Sequence, residues 1–269
     1  MLRFLSAQRI EDNVRSLCAQ AGFRCEEPRR GYFSLLNRMQ TVPIFAAEAR
    51  PRALWQLERS ELSPLERYFR HKLLDGEAPA RLSDSEVPEH KLAVACTALG
   101  AFEPSALQAV SLLVGQVVMV RSTHGEGGAS VPEALGTIWM RPGVGWSTEL
   151  WSESVWHETT HQGLFLEELV SGLFTLDAEA MSRPEAMVVS AIWPYTNPRK
   201  SERPLYRAFH SACVASELSR LFRWQGRAEQ ARSFREGALD TLGQLQQRTQ
   251  FLTLNGQRVL DDLAHELAA

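Results

Sequence analysis

The sequence predicts a mainly α-helical protein with a small β-sheet, an α+β fold in which a metal-binding helix packs against a second long helix. Apolar residues recur at helical spacing through most of the chain of 269 residues. Two short apolar runs, 117–120 and 136–140, have strand character and precede a helical stretch. That stretch carries two histidines four residues apart, which places them on one helical face about a turn apart.

The first half of the chain is predicted to be helical. Residues 1–22 mix apolar and charged residues at helical spacing. Residues 32–75 are expected to form several helices, with breaks at Pro43 and Gly76. Two more helices are expected at 91–100 and 104–115, the second with Pro104 near its start. The polar stretch 76–90 is the best linker candidate. We therefore predict an N-terminal helical region, 1–85, and a metal-binding catalytic domain, 86–269, unless the chain is one continuous domain.

The second half mixes strands and helices. A glycine loop at 124–128 separates the two predicted strands, and Ser147 or Ser152 can cap the motif helix. The exposed edge of a strand beside such a helix can hold an extended peptide. The remaining expectations, in chain order, are a third strand at 187–193, a proline-rich connection at 194–204, a long helix from Pro204 to Gly226, a polar helix at 227–250, and a C-terminal helix or frayed end with a solvated His265.

Composition limits the classes of function. The net charge of −3 gives no general attraction to nucleic acid or to an anionic membrane. The four cysteines form no CxxC pair, no signal peptide is recognised, and no apolar stretch is long enough to cross a bilayer. We therefore expect a cytoplasmic protein with free thiols, no nucleic-acid partner and no membrane partner. The oligomeric state is not fixed by the sequence.

The stretch 157–161 reads His-Glu-Thr-Thr-His and carries the metal prediction. His157 and His161 are the ligands that its spacing provides, and Glu158 is the candidate catalytic residue. The strongest distal candidate for a third ligand is His210, which shares a helical stripe with Arg207 and Glu217. The other candidates left open are His124, Glu167, Glu168 and Glu217.

These features together resemble the HExxH-type 2-oxoglutarate-dependent peptide β-hydroxylases, which modify ribosomally made peptides. The matching pieces are residues 136–138, 157–161, 193–194 and 203–210, within a resemblance that covers about residues 110–225. The resemblance implies Fe(II) bound by His157, His161 and His210. It also implies that Arg203 or Arg207 binds the carboxylate of 2-oxoglutarate.

The sequence is therefore compatible with three functions. The first is an Fe(II)- and 2-oxoglutarate-dependent hydroxylase that acts on the β-carbon of a peptide side chain. The alternative is a zinc-dependent peptidase or hydrolase in which Glu158 is the general base on the metal-bound water. The last is a helical interaction protein without catalysis.

Overall fold

The structure, a computed structural model, describes residues 1–44, 51–53, 89–119, 127–143, 145–177, 179–192 and 199–269. Within these ranges the chain forms eight α-helices, one four-stranded sheet and one two-stranded sheet. The predicted fold class, mainly α with a small amount of β, is confirmed.

The elements are numbered in chain order within the described ranges. The helices are α1 (Ala7–Gln20), α2 (Pro28–Met39), α3 (Glu89–Phe102), α4 (Pro104–Leu113), α5 (Thr148–Ser171), α6 (Leu205–Trp224), α7 (Ala228–Gln246) and α8 (Leu254–Ala268). The strands are β1 (Arg52–Ala53), β2 (Gln116–Met119), β3 (Gly127–Ala129), β4 (Thr137–Arg141), β5 (Met187–Ile192) and β6 (Arg199–Pro204).

The chain divides into two compact units, one of residues 7–166 and the other of residues 1–6 together with 167–269. This division falls inside α5. The boundary predicted near residue 85 lies outside the described residues, as do the expected helices of 54–75 and most of the expected linker. These three expectations stay predictions.

In the unit of residues 7–166, a mixed sheet lies beside the motif helix. Its strand order is β1-β2-β4-β3, in which β1, β2 and β4 are parallel and β3 is antiparallel to β4. Gln162 of α5 fastens the helix to β4, because its side chain accepts from the N–H of Gly136 at 2.8 Å and donates to the carbonyl of Thr137 at 3.1 Å. The two strands expected before the motif helix are thus present as β2 and β4.

Strand β3 corrects one expectation. The sequence predicts a loop through 124–128, but Gly127–Ala129 pair with β4 in the register Gly128 to Met140. Glycine has a low intrinsic preference for strands, so the pairing with β4 outweighs the local preference of the chain. The other expected loop residues, with His124 and the adjoining Val120, lie outside the described ranges.

In the other unit, β5 and β6 form a two-stranded antiparallel sheet that pairs Met187 with Pro204 and Ile192 with Arg199. Helices α6 and α7 pack on each other and on β5, and α8 packs on α6 and α7. The expected connection 194–204 is therefore wrong for 199–204, which is strand β6. A polar sequence ending in proline is tolerated there because each strand of a two-stranded sheet is an edge. Residues 193–198 lie outside the described part.

Proline and glycine residues mark the two ends of helix α6. Helix α6 begins directly after Pro204, and Gly226 follows it with a φ of 77°, a backbone conformation that favours glycine. Helices α1, α3, α4, α7 and α8 are present where helices are expected, and His265 is exposed. Among the helices that the structure describes, none has the length and apolar character that crossing a bilayer requires.

Candidate metal centre

Helix α5 presents the motif, and its start explains why a helix forms there. The hydroxyl of Ser147 accepts from the N–H of Leu150 at 3.4 Å, which is the N-cap interaction expected of serine. Glu149 in the first turn interacts favourably with the helix dipole. Ser152 lies inside the helix and donates to the carbonyl of Thr148 at 2.8 Å. Of the two predicted caps, Ser147 is the one that caps the helix.

The two motif histidines lie together. The ring centroids of His157 and His161 are 5.0 Å apart with the planes inclined at 55°, and the His161 ring stacks on Phe165 at 6.1 Å. This arrangement follows from their separation by one helical turn. Two imidazoles at this distance can bind the same metal ion.

The protonation state of His157 suits a ligand. Its side chain is 37% exposed, yet the surrounding protein removes enough water to lower the pKa of the imidazole below its ordinary value. The ring is therefore neutral at neutral pH. A neutral imidazole keeps the lone pair that metal binding requires.

The carboxyl group of Glu158 is buried beside these rings. Only 3% of the residue is exposed, and burial raises the pKa of the carboxyl to about 7, against the opposing effects of the Ser130 hydrogen bond and the Arg141 charge. Its Oε1 atom lies 3.9 Å from Nε2 of His157. A carboxyl group with this pKa can either accept or donate a proton near neutral pH.

Strand β3 and Ser130, the residue that follows it, supply two contacts to Glu158 that the sequence did not predict. The Ser130 hydroxyl donates to Oε2 of Glu158. A Cβ atom built on Gly128 would lie 2.6 Å from Oε1 of Glu158, so the backbone of β3 passes directly against this carboxyl. The sequence signal available was the small-residue run 127–130 between two strands.

His210 lies on α6, in the other compact unit. It is 7% exposed, and burial lowers the pKa of its imidazole to about 4, so this ring is also neutral. Within the part of the chain that the structure describes, no three His, Cys, Asp or Glu side chains form a group that could hold a metal. The structure brings His157, Glu158 and His161 together, and the assignment of His210 as the third ligand stays a prediction.

Two of the alternative carboxylate ligands follow the motif on α5. Oε1 of Glu167 accepts from the side-chain amide of Asn255 at 2.9 Å, and Glu168 accepts from the N–H of Leu173. The second contact satisfies a backbone donor just after the end of α5. Both carboxylates therefore have hydrogen-bonding roles within the unit that contains residues 167–269.

The remaining alternative, Glu217, is fully buried on α6. It accepts from the backbone N–H of Leu2 and pairs with Arg220, whose Nη1 atom lies 3.1 Å from Oε2. Burial raises the pKa of this carboxyl, and the charge of Arg220 opposes that rise. Glu217 thus anchors the N-terminal residues to α6.

The two candidate arginines lie next to the start of α6. Arg203 on β6 is partly buried, and its Nη1 atom donates to the hydroxyl of Ser211 at 2.9 Å. Burial lowers its pKa, and the positive charge of Arg207 lowers it further. Arg207 is exposed, donates to the Tyr206 hydroxyl at 2.9 Å and lies over the Tyr206 ring. Among the ion pairs of the described ranges, none involves either guanidinium.

No protein-family model matches this chain, and no curated protein sequence matches it.

The imidazoles of His157 and His161 on α5 are suitable ligands for the iron or zinc that the sequence implies. Imidazole nitrogen suits both iron and zinc, and two histidines separated by one helical turn fit the adjacent coordination positions of either ion. The pair of His157 and His161 therefore fits a divalent first-row metal, and the buried Glu158 lies beside it. These two residues do not by themselves choose between iron and zinc.

Proposed function

We propose that this protein is an Fe(II)- and 2-oxoglutarate-dependent hydroxylase that acts on the β-carbon of a peptide side chain during the modification of ribosomally made peptides. One observation carries the proposal: the His157 and His161 rings lie 5.0 Å apart on one face of α5, beside the buried carboxyl of Glu158. That arrangement supports metal-dependent chemistry. The resemblance of residues 110–225 to the peptide β-hydroxylases supports this choice of reaction.

In this proposal His157 and His161 hold the iron, and His210 is the third ligand. Neutral rings are available for this because partial desolvation lowers the pKa of His157 and burial lowers the pKa of His210. Iron held by these residues would supply the oxidation chemistry that uses O₂ and 2-oxoglutarate. Three protein ligands would leave room on the metal for both molecules.

Arg203 is the better candidate for the far carboxylate of 2-oxoglutarate. Its guanidinium is partly buried and is oriented by Ser211, and Arg207 adds a second positive charge close to it. An anion bound between two such charges would relieve their mutual repulsion. Arginine also binds a carboxylate through two parallel hydrogen bonds, which fixes the orientation of the cosubstrate.

The peptide substrate is proposed to lie along β3. In the described ranges β3 is the last strand of its sheet, and it passes directly against Glu158. An extended peptide can add to the edge of a sheet through its backbone hydrogen bonds. A peptide bound there would have its reacting residue close to the motif face of α5.

The test is an anaerobic titration of the Fe(II)-loaded protein with 2-oxoglutarate. Chelation of iron by the cosubstrate is expected to produce a weak visible metal-to-ligand band in the natural sequence. The matched controls are His157→Ala, which should show no band, and His265→Ala, which replaces an exposed histidine and should keep it. An iron-loaded protein that shows no band would contradict the proposal.

A zinc hydrolase is the second candidate, and Glu158 is the residue that favours it. A pKa of about 7 and a distance of 3.9 Å from Oε1 to Nε2 of His157 suit a general base for a metal-bound water. This function predicts that the zinc-loaded protein cleaves peptides. It also predicts that Glu158→Gln keeps the zinc and loses the cleavage by several orders of magnitude.

A further inference from the structure

We propose that Gly128 of β3 and Ser130, the residue after that strand, are positioning residues for Glu158, which hold its carboxyl group beside the motif histidines of α5. This inference rests on the proposed metal site. It adds a function for a segment that lies outside the motif and between 27 and 33 positions before His157 and His161 in the chain.

Ser130 fixes one of the two carboxyl oxygens. Its hydroxyl donates to Oε2 of Glu158 and lies 3.5 Å from the backbone carbonyl of the same residue. The other oxygen, Oε1, is then the one that lies 3.9 Å from Nε2 of His157. The two carboxyl oxygens therefore have different neighbours. Oε2 accepts the hydrogen bond of Ser130, and Oε1 faces His157.

Gly128 leaves the space that the carboxyl group of Glu158 occupies. A Cβ atom at this position would lie 2.6 Å from Oε1, 2.9 Å from Cγ and 3.0 Å from Cδ of Glu158. Gly128 has no positive φ, so its backbone conformation does not call for glycine, and the absence of a side chain here leaves room for the carboxyl group of Glu158. The neighbouring Gly127 differs, since its φ of 140° favours glycine and its Cβ would meet only Arg141 at 3.7 Å.

The position of both residues depends on the pairing of β3 with β4. Gly128 pairs with Met140, and β4 is in turn fastened to α5 through Gln162. The backbone of β3 is thus held at a fixed place relative to the motif face of α5. A carboxyl group confined in this way would need no reorientation to contact a ligand of a metal held by His157 and His161.

A double-mutant cycle tests whether Ser130 acts through Glu158. The dissociation constant for Co(II) is measured by competition with a chromophoric chelator in the natural sequence, Ser130→Ala, Glu158→Ala and the double variant. Ser130→Ala removes a hydrogen bond to a residue beside the metal site. It should weaken Co(II) binding by about tenfold when Glu158 is present and by less than about twofold when Glu158 is absent. Ser130→Thr keeps the hydroxyl and should bind Co(II) as the natural sequence does.

The matched control is Ser152→Ala. Ser152 is a buried serine of α5 whose hydroxyl bonds to the carbonyl of Thr148. Its replacement should change Co(II) affinity equally, or not at all, in the presence and absence of Glu158. If Ser130→Ala behaves in the same way as this control, the positioning role is overturned.

Gly128→Ala gives a second, independent test. The added methyl group should displace the carboxyl and weaken Co(II) binding by about tenfold, and Glu158→Ala should remove most of that effect by making room. Gly243→Ala is the control, because a Cβ there meets nothing within 4 Å. An equal loss from Gly128→Ala with and without Glu158 would contradict the inference.

The outcome also separates this inference from the proposed function. If the natural sequence binds no Co(II), the proposed metal site fails, and the Ser130 and Glu158 cycle is then measured by urea unfolding of the metal-free protein. If the unfolding midpoint of the double variant differs from the sum of the two single effects, the interaction of Ser130 with Glu158 is supported. If the two single effects add, the positioning role of Ser130 is overturned.

Discussion

The Oε1 atom of Glu158 lies 3.9 Å from Nε2 of His157, although the two residues are neighbours in the chain. Adjacent positions on an α-helix point in directions about 100° apart, so helical geometry alone does not bring such side chains together. The contacts of Glu158 with Ser130 and Gly128 account for its position. The motif helix therefore provides the residues, and Gly128 of β3 together with Ser130 after it directs the carboxyl.

The buried carboxyl of Glu158 should make the metal-free protein less stable as the pH rises. Its pKa is raised from 4.5 to about 7, so the folded state keeps a proton that the unfolded chain releases. The resulting stabilisation is complete below the unfolded value and is lost as the pH rises through the folded value. The difference between the two pKa values corresponds to about 3 kcal/mol.

Urea unfolding with a chelator present measures this effect. Relative to Glu158→Gln, the natural sequence should lose about 3 kcal/mol of unfolding free energy between about pH 4.5 and pH 8.5. Taking the difference between the two proteins cancels the titration of the groups they share. A difference that stays constant with pH would contradict the assigned environment of Glu158.

Replacing the two arginines should have unequal effects on 2-oxoglutarate binding. We expect Arg203→Ala to raise the dissociation constant more than about tenfold, because a partly buried guanidinium held by Ser211 binds a carboxylate in a fixed geometry. Arg207→Ala should raise it less than about threefold, since its charge is exposed to solvent. The measurement is the anaerobic titration of the Fe(II) form, with the exposed Arg223→Ala as control. Equal losses from both variants would remove the special role of Arg203.

His210→Ala should weaken metal binding without abolishing it, because His157 and His161 remain. The imidazole of His210 is buried and neutral, so it has a lone pair to offer. Equilibrium dialysis against a divalent metal measures the change, and His265→Ala serves as the exposed control. Unchanged metal affinity in His210→Ala would contradict a ligand role for His210 and would leave Glu167, Glu168 and Glu217 as the candidates for the third ligand.

Gly256 near the start of α8 should be sensitive to any side chain. A Cβ there would lie 2.0 Å from the carbonyl oxygen of Leu173, a backbone atom that cannot move without local rearrangement. We expect Gly256→Ala to lower the free energy of unfolding by about 2 kcal/mol or more. Gly243→Ala, in an open position of α7, should raise it by up to about 1 kcal/mol. Similar unfolding midpoints for the two variants would contradict this packing.

The helices were predictable because their signals are local. Ser147 caps α5, Pro204 precedes α6 and Gly226 follows it, and each acts on the chain within one turn of its own position. The spacing of His157 and His161 likewise fixes their proximity once the helix forms. These features needed no knowledge of the rest of the fold.

Strands β3 and β6 were missed because their signals are not local. Each is stabilised by a partner strand, β4 or β5, and neither glycine nor a polar run ending in proline predicts a strand by itself. The contacts of Ser130 and Gly128 with Glu158 join segments about 30 residues apart and depend on the register of β3. The same reason prevents the spacing along the chain from deciding a third metal ligand.

The most direct test of the metal site is the metal content of the natural sequence and of His157→Ala, His161→Ala and His265→Ala after loading with Fe(II) under anaerobic conditions. We expect one equivalent of iron in the natural sequence and in His265→Ala, and none in the two motif variants, with helical content by circular dichroism unchanged in all four. One equivalent of iron retained by either motif variant, or by a further variant that carries both substitutions, would contradict the assigned metal site.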